Sequence, residues 1–276
     1  MTNTQDQLQT FGLIIVGDEI MSGKRADKHL PKCIEILAKR GLELSFAEYV
    51  GDSPDRITQT LERAFAQSNI VFSTGGIGAT PDDHTRQCAA KALDQELKLH
   101  PQAELLIRER MQDTAKEQGI AYEPDRPDNI HRLNMGVFPL SAQIIPNPYN
   151  KIPGFTCQGV KGIVHFVPGF PVMAWPMMEW VLDAYYPHLF VKDQWLEKSV
   201  IVFGAMEASL TPLMEKLEKQ FFGIKVFSLP SVDHPEFGRH IELGVKGEPQ
   251  LVDNAFISMK QGLLEFGAKL GPELVR

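Results

Sequence analysis

Residues 69–85 read NIVFSTGGIGATPDDHT, and this stretch predicts a strand, a glycine-rich loop and the start of a helix. The short apolar run at Asn69–Ser73 has the composition of a buried strand in a parallel sheet. The three glycines that follow suit a loop that holds a phosphate, because glycine lets the backbone approach the phosphate oxygens closely. Asp82 and Asp83 come almost at once, however, and two carboxylates repel a phosphate. The stretch therefore needs a ligand that satisfies both features.

A divalent cation resolves this conflict, since Mg²⁺ commonly binds one or two carboxylates together with the phosphates of a substrate. Such a cation can also polarise a phosphoryl oxygen or activate a water molecule. A purely structural interpretation is open as well. Thr80 can cap a helix from about Pro81 to Leu93, with Pro81 in the first position and Asp83 in a capping box. The two interpretations are compatible. In such a helix the side chains of Asp82 and Asp83 point in different directions, so one carboxylate can face the cation while the other caps the helix.

The sequence on either side repeats the alternation of strand and helix. Strands are predicted at Phe11–Val16, Leu42–Val50, Asn69–Ser73 and 162–167, and helices at 27–40, after Pro54, at 81–93, 102–118 and 172–186. The segment 144–155 is predicted as a long loop that follows a short strand. This alternation is typical of a parallel sheet covered by helices on both faces.

Ligands of such sheets bind outside the carboxyl ends of the strands. Three loops are predicted at that edge, namely Gly17–Gly23, Gly51–Pro54 and Thr74–Thr80. The first two add the acids Asp18 and Asp52 to the candidate site. We therefore expect the three loops to converge on one site.

A domain boundary is predicted at Tyr186–His188, which divides the chain into residues 1–188 and 189–276. The second part has its own pattern of strands at 199–203, 224–229 and 240–245 and helices at 209–220 and 252–266. That pattern predicts a small α+β unit.

Composition limits the function classes. The chain has 276 residues, 43% of them hydrophobic, and a net charge of -7, which argues against a nucleic-acid or membrane-surface partner. Cys33, Cys88 and Cys157 are far apart, as expected in a reducing compartment. The first residues lack a signal-peptide pattern, and no apolar run approaches the ~20 residues that cross a bilayer. We therefore expect a cytoplasmic protein with a small-molecule ligand.

The residues from Thr74 to Thr85 resemble the TGGxGxTxDDxT motif of the competence/damage-inducible CinA amino-terminal domain, within the MoaB/Mog-like molybdopterin-binding family. Four further segments are similar to motifs of that domain and occur in the same order. They are 15–23 (GDELLSG in the family), 50–57 (VGD…RI), 146–155 (PNPxGxAPGF) and 168–171 (PGVP). The later segment 239–243 is similar to the small KH-like domain that follows in CinA proteins.

The resemblance implies a doubly wound α/β fold with a mostly parallel sheet, followed by a small α+β (KH-like) domain, and a homo-oligomer. It implies hydrolysis of a nucleotide diphosphate such as ADP-ribose or FAD with a divalent cation, Mg²⁺ or else Mn²⁺ or Co²⁺. The alternative is molybdopterin binding in molybdenum cofactor biosynthesis, as in the Mog branch. A third class is a non-catalytic regulatory module with the same fold. The sequence ends before the amidase domain of longer CinA proteins, so we expect no amidase activity.

The residues and the resemblance together predict the members of the site. Asp83 and Asp52 are predicted as catalytic, and Asp82, Asp83 and Asp18 as ligands of the cation. Contacts with the nucleotide or pterin are predicted at Gly17, Ser22, Thr74, Gly75, Gly76, Gly78, Thr80, Pro148 and Gly154.

The sequence departs from the family pattern in three places. The usual GPT is Gly78-Ala79-Thr80, and the usual Asp-x-Asn is Asp27-Lys28-His29. Soon after PGVP the family has Glu-Met, whereas this sequence has Met173-Ala174. The missing glutamate is the best sequence support for the non-catalytic class.

Overall fold

A computed structural model describes residues 10–191 and 196–276. Contacts divide the chain into two compact units, the first ending at Phe190 and the second beginning at Val191.

The first unit alternates strands and helices. Its strands are β1 Thr10–Val16, β2 Leu44–Val50, β3 Asn69–Thr74, β4 Leu97–Leu99, β5 Val137–Pro139, β6 Gln143–Ile145, β7 Gly154–Gln158 and β8 Ile163–Val167. Its helices are α1 Asp18–Met21, α2 His29–Ala38, α3 Pro54–Ala66, α4 Thr85–Ala92, α5 Pro101–Glu117, α6 Pro127–Arg132 and α7 Pro171–Tyr185, with 3₁₀ turns at Leu133–Gly136 and Pro187–Leu189.

Six strands form one sheet in the order β2-β1-β3-β8-β7-β6. The strands β2, β1, β3 and β8 are parallel, whereas β7 runs antiparallel to both of its neighbours. The chain moves from β1 to β2 on one side and then returns to place β3 on the other side of β1. The strand order therefore reverses between β1 and β3, and open α/β sheets bind their ligands at such a switch point.

Both faces of this sheet are covered by helices. On one face, apolar side chains of α3, α4 and α5 pack on the strands, among them Leu61, Cys88 and Ile107. On the other face, α2 and α7 contribute Leu37 and Met177 to a second core. The predicted doubly wound, mostly parallel α/β fold is confirmed.

The second unit is a separate small domain with an antiparallel sheet. Its elements are β9 Leu196–Phe203, α8 Glu207–Gln220, β10 Lys225–His234, β11 Gly238–Gly247, α9 Pro249–Glu265 and β12 Lys269–Val275. The strand order is β10-β11-β9-β12, with every pair antiparallel. Both helices pack on one face, through residues such as Leu217 and Phe256. The α+β prediction is confirmed, although β12 was not predicted.

Two local predictions in the first unit are wrong. Helix α4 begins at Thr85 and not at about Pro81, so Thr80 is not its N-cap. The segment 144–155 is not one loop, because β6 includes Ile144 and Ile145 and β7 begins at Gly154.

None of the helices in the two described ranges has the length and apolar composition that crossing a bilayer requires.

Candidate functional site

The loops that follow the central strands meet at the carboxyl edge of the sheet. The amide of Gly17, after β1, donates to the carbonyl of Val50 at the end of β2, at 3.0 Å. The amide of Gly75, after β3, donates to the carbonyl of Val167 at the end of β8, at 3.1 Å. The loops after β1 and β3, on the two sides of the switch point, are thus each bonded to the end of a neighbouring strand.

Asp18 and Asp52 join the first two loops by reciprocal hydrogen bonds. The amide of Asp18 donates to Asp52 Oδ2 at 2.9 Å, and the amide of Asp52 donates to Asp18 Oδ1 at 3.0 Å. Gly51 leaves the room for this pairing, since a Cβ there would overlap Asp18 Oδ1. Each carboxylate keeps one oxygen for another partner, so the two acids combine a structural role with a capacity to bind.

The pKa of Asp52 is raised above its ordinary value. Burial is the largest cause, and repulsion from the nearby carboxylates of Asp18, Glu19 and Asp82 adds to it. The hydrogen bond from the amide of Asp18 acts in the opposite direction without cancelling the rise. Several acids therefore share this edge of the sheet, and a cation bound there would relieve their repulsion.

The raised pKa gives a prediction on stability. The folded protein binds the Asp52 proton more tightly than the unfolded chain, so this group stabilises the fold at low pH. That stabilisation is lost as the pH rises from the ordinary carboxyl pKa through the raised one. Above both values the charged carboxylate is unfavourable, and we expect Asp52→Asn to raise the Tm by about 1–3 °C at neutral pH without divalent cations.

Melting curves of both proteins, recorded near neutral pH and at falling pH down to the ordinary carboxyl pKa, check this prediction. The difference should shrink as the pH falls through the raised pKa, because Asp52 of the unmodified protein then takes up a proton. A lower Tm for Asp52→Asn at neutral pH would contradict it.

The glycine loop has a backbone that other residues adopt only with strain. Gly75 has a φ of 95° and Gly76 a φ of 66°, both in the left-handed region. A Cβ at Gly75 would overlap the carbonyl oxygen of Val16, and one at Gly76 would overlap Thr85 Oγ1. The glycines therefore let the loop after β3 lie directly against the end of β1.

Thr85 anchors α4 to this loop. Its amide donates to the carbonyl of Gly76 at 2.9 Å, and its hydroxyl donates to the carbonyl of Gly75 at 3.1 Å. The helix start is therefore fixed by the glycine loop, and the Thr80 capping that the sequence suggested is replaced by this connection.

Asp83 lies in a turn before α4. Its Oδ2 accepts hydrogen bonds from the amide of Thr80 at 2.8 Å and from the Thr80 hydroxyl at 2.5 Å. The carboxylate lies beside Gly78, where a Cβ would come within 2.5 Å of Oδ2. Asp83 Oδ1 makes no hydrogen bond to the residues that the structure describes. One oxygen of Asp83 thus shapes the turn, and the other is free for a ligand or cation.

Asp82 is exposed, and the hydroxyl of Thr80 lowers its pKa, with a smaller effect of His84. Within the described ranges, no three His, Cys, Asp or Glu side chains form a ready-made metal cluster. A cation held by Asp82, Asp83 or Asp18 would therefore need phosphate oxygens to complete its coordination, as Mg²⁺ often does.

Sequence reasoning missed Arg86, a buried cation in the first turn of α4. Its guanidinium donates to the carbonyl of Gly78 at 2.6 Å and to the carbonyl of Asn134. Burial lowers its pKa, and the neighbouring Asp83 acts in the opposite direction. The only available signal was an arginine on the buried face of a predicted helix. Arg86 therefore fixes the end of the glycine loop through its hydrogen bond to the carbonyl of Gly78.

Two clefts open at the two ends of the glycine loop. The Asp83 cleft, of about 410 Å³, is lined by the turn around Thr80 and Asp83, by Arg86, and by His131 and Asn134. The Phe170 cleft, of about 300 Å³, is lined by residues that include Val16, Thr74, Arg25, Lys28, His29 and Phe170. A ligand bound to the glycine loop could therefore extend into either cleft, since Thr74 lines one and Thr80 the other.

Of the predicted ligand contacts, Thr74 and Thr80 line these clefts, whereas seven others do not, namely Gly17, Ser22, Gly75, Gly76, Gly78, Pro148 and Gly154. Ser22 is exposed at the end of α1, and Pro148 is exposed in the loop between β6 and β7. Gly154 is buried at the start of β7, where a Cβ would overlap the carbonyl oxygen of Phe166 and approach Met177. The small size of Gly154 is therefore required by packing.

The structure shows the hydrogen bonds at two of the departures from the family pattern, the segment 27–29 and Met173. The carboxylate of Asp27 accepts hydrogen bonds from the amides of His29 and Leu30, at 2.7 and 3.0 Å, and so caps the start of α2. Met173, in the first turn of α7, accepts a hydrogen bond on its sulfur from the side-chain amide of Asn150 at 3.3 Å. A thioether thus occupies the place where the family has a carboxylate.

A doubly wound sheet with glycine-rich and acidic loops at its switch point defines the class of α/β ligand-binding domains. The chain belongs to the family described as "Probable molybdopterin binding domain", whose sequence profile matches residues 12–188.

Individual proteins agree with this assignment. A competence-damage inducible protein of Alkaliphilus metalliredigens is 31% identical over 210 residues, which are 75% of this chain and 47% of that protein. Protein Ta0487 of Thermoplasma acidophilum is 29% identical over 248 residues, covering 88% of this chain and 90% of the relative. The crystal structure of the protein CinA with unknown function from Thermoplasma acidophilum matches with a TM-score of 0.53 and 27% identity.

That structural match covers 64% of this chain and 97% of the solved chain. The predicted resemblance to CinA proteins and the molybdopterin-binding family is confirmed. This chain spans about half the length of the competence-damage inducible relative from Alkaliphilus.

Proposed function

We propose that the chain binds a nucleotide diphosphate, such as ADP-ribose or FAD, and hydrolyses its diphosphate with the help of a divalent cation. The observation that carries this proposal is the left-handed backbone of Gly75 and Gly76 at the switch point, close to a carboxylate with one free oxygen. The amide of Gly76 suits a phosphate oxygen, whereas the amide of Gly75 donates to Val167 and shapes the loop, and Asp83 suits the cation.

The charges around the loop support a cation between the ligand and the protein. Asp18, Glu19, Asp52 and Asp82 interact electrostatically at this edge, and a diphosphate would add further negative charge. A cation shared by Asp83 and the phosphates, with Asp82 or Asp18 in support, would offset that repulsion. When bound, it would polarise a phosphoryl oxygen and favour attack by water.

Asp52 is our candidate for the residue that accepts a proton from the attacking water. A general base works best when its pKa lies near the working pH, and the pKa of Asp52 is shifted in that direction. The amide of Asp18 fixes one oxygen of Asp52, so the carboxylate has a defined orientation.

Incubation with ADP-ribose or FAD, in the presence of Mg²⁺, Mn²⁺ or Co²⁺, tests the proposal through release of AMP measured by chromatography. We expect release that requires the cation and stops when it is chelated. Folded protein that releases no AMP from either compound with any of the three cations would contradict the hydrolase proposal.

Molybdopterin binding is the second candidate, and membership of a family described as probable molybdopterin binding domains favours it. Tight binding of molybdopterin without cleavage of dinucleotides would support this function over hydrolysis. The non-catalytic class is supported by Met173, whose sulfur takes the place of a carboxylate at the start of α7. A protein of that class would bind its partner equally well with Asp83 or Asn at position 83.

A further inference from the structure

The Phe170 cleft contains two buried polar atoms without partners. Thr74 is 1% exposed and His29 is 5% exposed, and both line the cleft. Neither Thr74 Oγ1 nor His29 Nδ1 has a hydrogen-bond partner in the described part of the chain. Buried polar atoms are nearly always hydrogen-bonded, so two such atoms beside one cavity mark a place where a bound molecule can supply the missing partners.

The second ring nitrogen of His29 determines what that partner must be. His29 Nε2 lies 3.0 Å from the carbonyl oxygen of Gly169, which can only accept, so Nε2 carries the hydrogen. In the neutral ring, Nδ1 is then an acceptor and requires an N–H or O–H from the ligand. The Thr74 hydroxyl can donate or accept. The cleft therefore suits a ligand edge with a donor next to a second polar atom.

Apart from the carboxylate of Glu19, the remaining lining is apolar or positive. Ile15, Val16 and the 58% exposed ring of Phe170 provide apolar surface, as expected for a site that holds a planar ring. Arg25 and Lys28 are exposed at the cleft and form no ion pair with the described residues. The 15-residue helix α7 begins here without a side-chain cap, so its N-terminus also favours an anion.

We propose that the Phe170 cleft binds the planar heteroaromatic ring of the ligand, with Thr74 and His29 on the polar edge of the ring and Phe170 against its face. Arg25 and Lys28 then lie near the phosphates. This inference rests on the proposed function, since it places the ring beside a diphosphate held by the glycine loop. A nucleotide base and a pterin share the required chemistry, namely a planar ring with an N–H beside an acceptor.

Calorimetric titration of the full chain with AMP, neopterin and inorganic pyrophosphate, each with Mg²⁺, tests the proposal. We expect Phe170→Ala to weaken binding of the ring compound by about five- to a hundredfold, the range for loss of one base–aromatic stack. Pyrophosphate should bind this variant as it binds the unmodified protein. Phe222→Ala, at a 94% exposed phenylalanine of the second unit, is the matched control and should change neither affinity.

Thr74→Val separates a ligand-binding hydroxyl from a structural one. Valine has nearly the same shape, and the hydroxyl it removes has no partner in the protein, so the Tm should stay the same or rise. Binding of the ring compound should nevertheless fall by about fivefold or more, as for loss of one hydrogen bond. A lower Tm with unchanged binding would mean that the hydroxyl is structural, and would overturn its assignment to the ligand.

The outcomes distinguish failure of the ring site from failure of the proposed function. Binding of AMP identifies a nucleotide ring, and binding of neopterin identifies a pterin. Pyrophosphate binding without binding of either ring compound, or ring binding that both variants leave intact, would overturn the ring site while the phosphate loop stands. Failure of pyrophosphate itself to bind would contradict the proposed function and the ring site together.

Discussion

Replacing Asp83 by Asn will reduce release of AMP by about 100-fold or more, the scale of losing one electrostatic contact to the reacting group. Asparagine keeps an oxygen that can accept the two hydrogen bonds from Thr80, so the turn before α4 should persist. What is lost is the negative charge that faces the cation and the phosphates. The expected result is therefore a loss of turnover in a protein with nearly unchanged stability.

The measurement is a rate of AMP release at saturating cation, together with a melting curve. Asp94→Asn is a suitable control, because Asp94 has a φ of 52° that asparagine adopts readily and does not line either cleft. Retention of more than half of the activity in Asp83→Asn would exclude Asp83 from the role proposed for it. A concurrent drop in Tm of many degrees would instead show that the turn depends on the charge.

Replacing Gly75 by Ala will destabilise the first unit by about 3 kcal/mol or more, the combined scale of left-handed strain and a steric overlap. Gly75 has a φ of 95°, and its new Cβ would overlap the carbonyl oxygen of Val16. Because that oxygen belongs to the backbone of β1, the overlap is relieved only if the loop or the strand moves. Phosphate binding should therefore be lost along with stability.

The variant Gly23→Ala separates the cost of left-handed backbone strain from the cost of steric overlap. Gly23 also has a left-handed φ, of 72°, but an added Cβ meets nothing within 4 Å, so only the strain of about 1 kcal/mol should appear. Urea unfolding followed by tryptophan fluorescence gives both free energies, since Trp175 and Trp180 lie in α7 of the first unit. Equal losses in the two variants would show that close packing of the loop on β1 does not contribute.

The parallel sheet and its carboxyl edge could be predicted because they follow from local patterns. Runs such as Phe11–Val16 are buried on both faces, and only a few strand orders connect them through helices. The start of α4 could not be predicted in the same way. Pro81 and Asp83 match a helix N-terminus, but the carboxylate of Asp83 closes a turn onto Thr80, and Thr85 binds to the glycine loop instead. Both arrangements satisfy the same backbone donors.

The missed strands have weak local signals. β12 contains Gly271 and Pro272, which are unfavourable inside most strands and are tolerated here because β12 lies at the edge of its sheet. β7 follows directly after Pro153 in a segment dominated by turn residues. Arg86 was missed because its partners, the carbonyls of Gly78 and Asn134, are not adjacent to it in the chain, and its place on the buried face of a helix was the only local signal. Phe170 lies in the motif segment 168–171, but nothing local predicted it as a ligand contact.

The reciprocal bonds between Asp18 and Asp52 have a consequence for the history of the site. Each carboxylate accepts the backbone N–H of the other residue, so losing either acceptor leaves an unpaired donor on the opposite loop. A substitution that removes either acceptor oxygen therefore breaks one bond between the two loops, whereas asparagine keeps an acceptor and can preserve it. The two positions, 34 residues apart, should therefore be inherited as one unit, and the loops after β1 and β2 should diverge together among relatives.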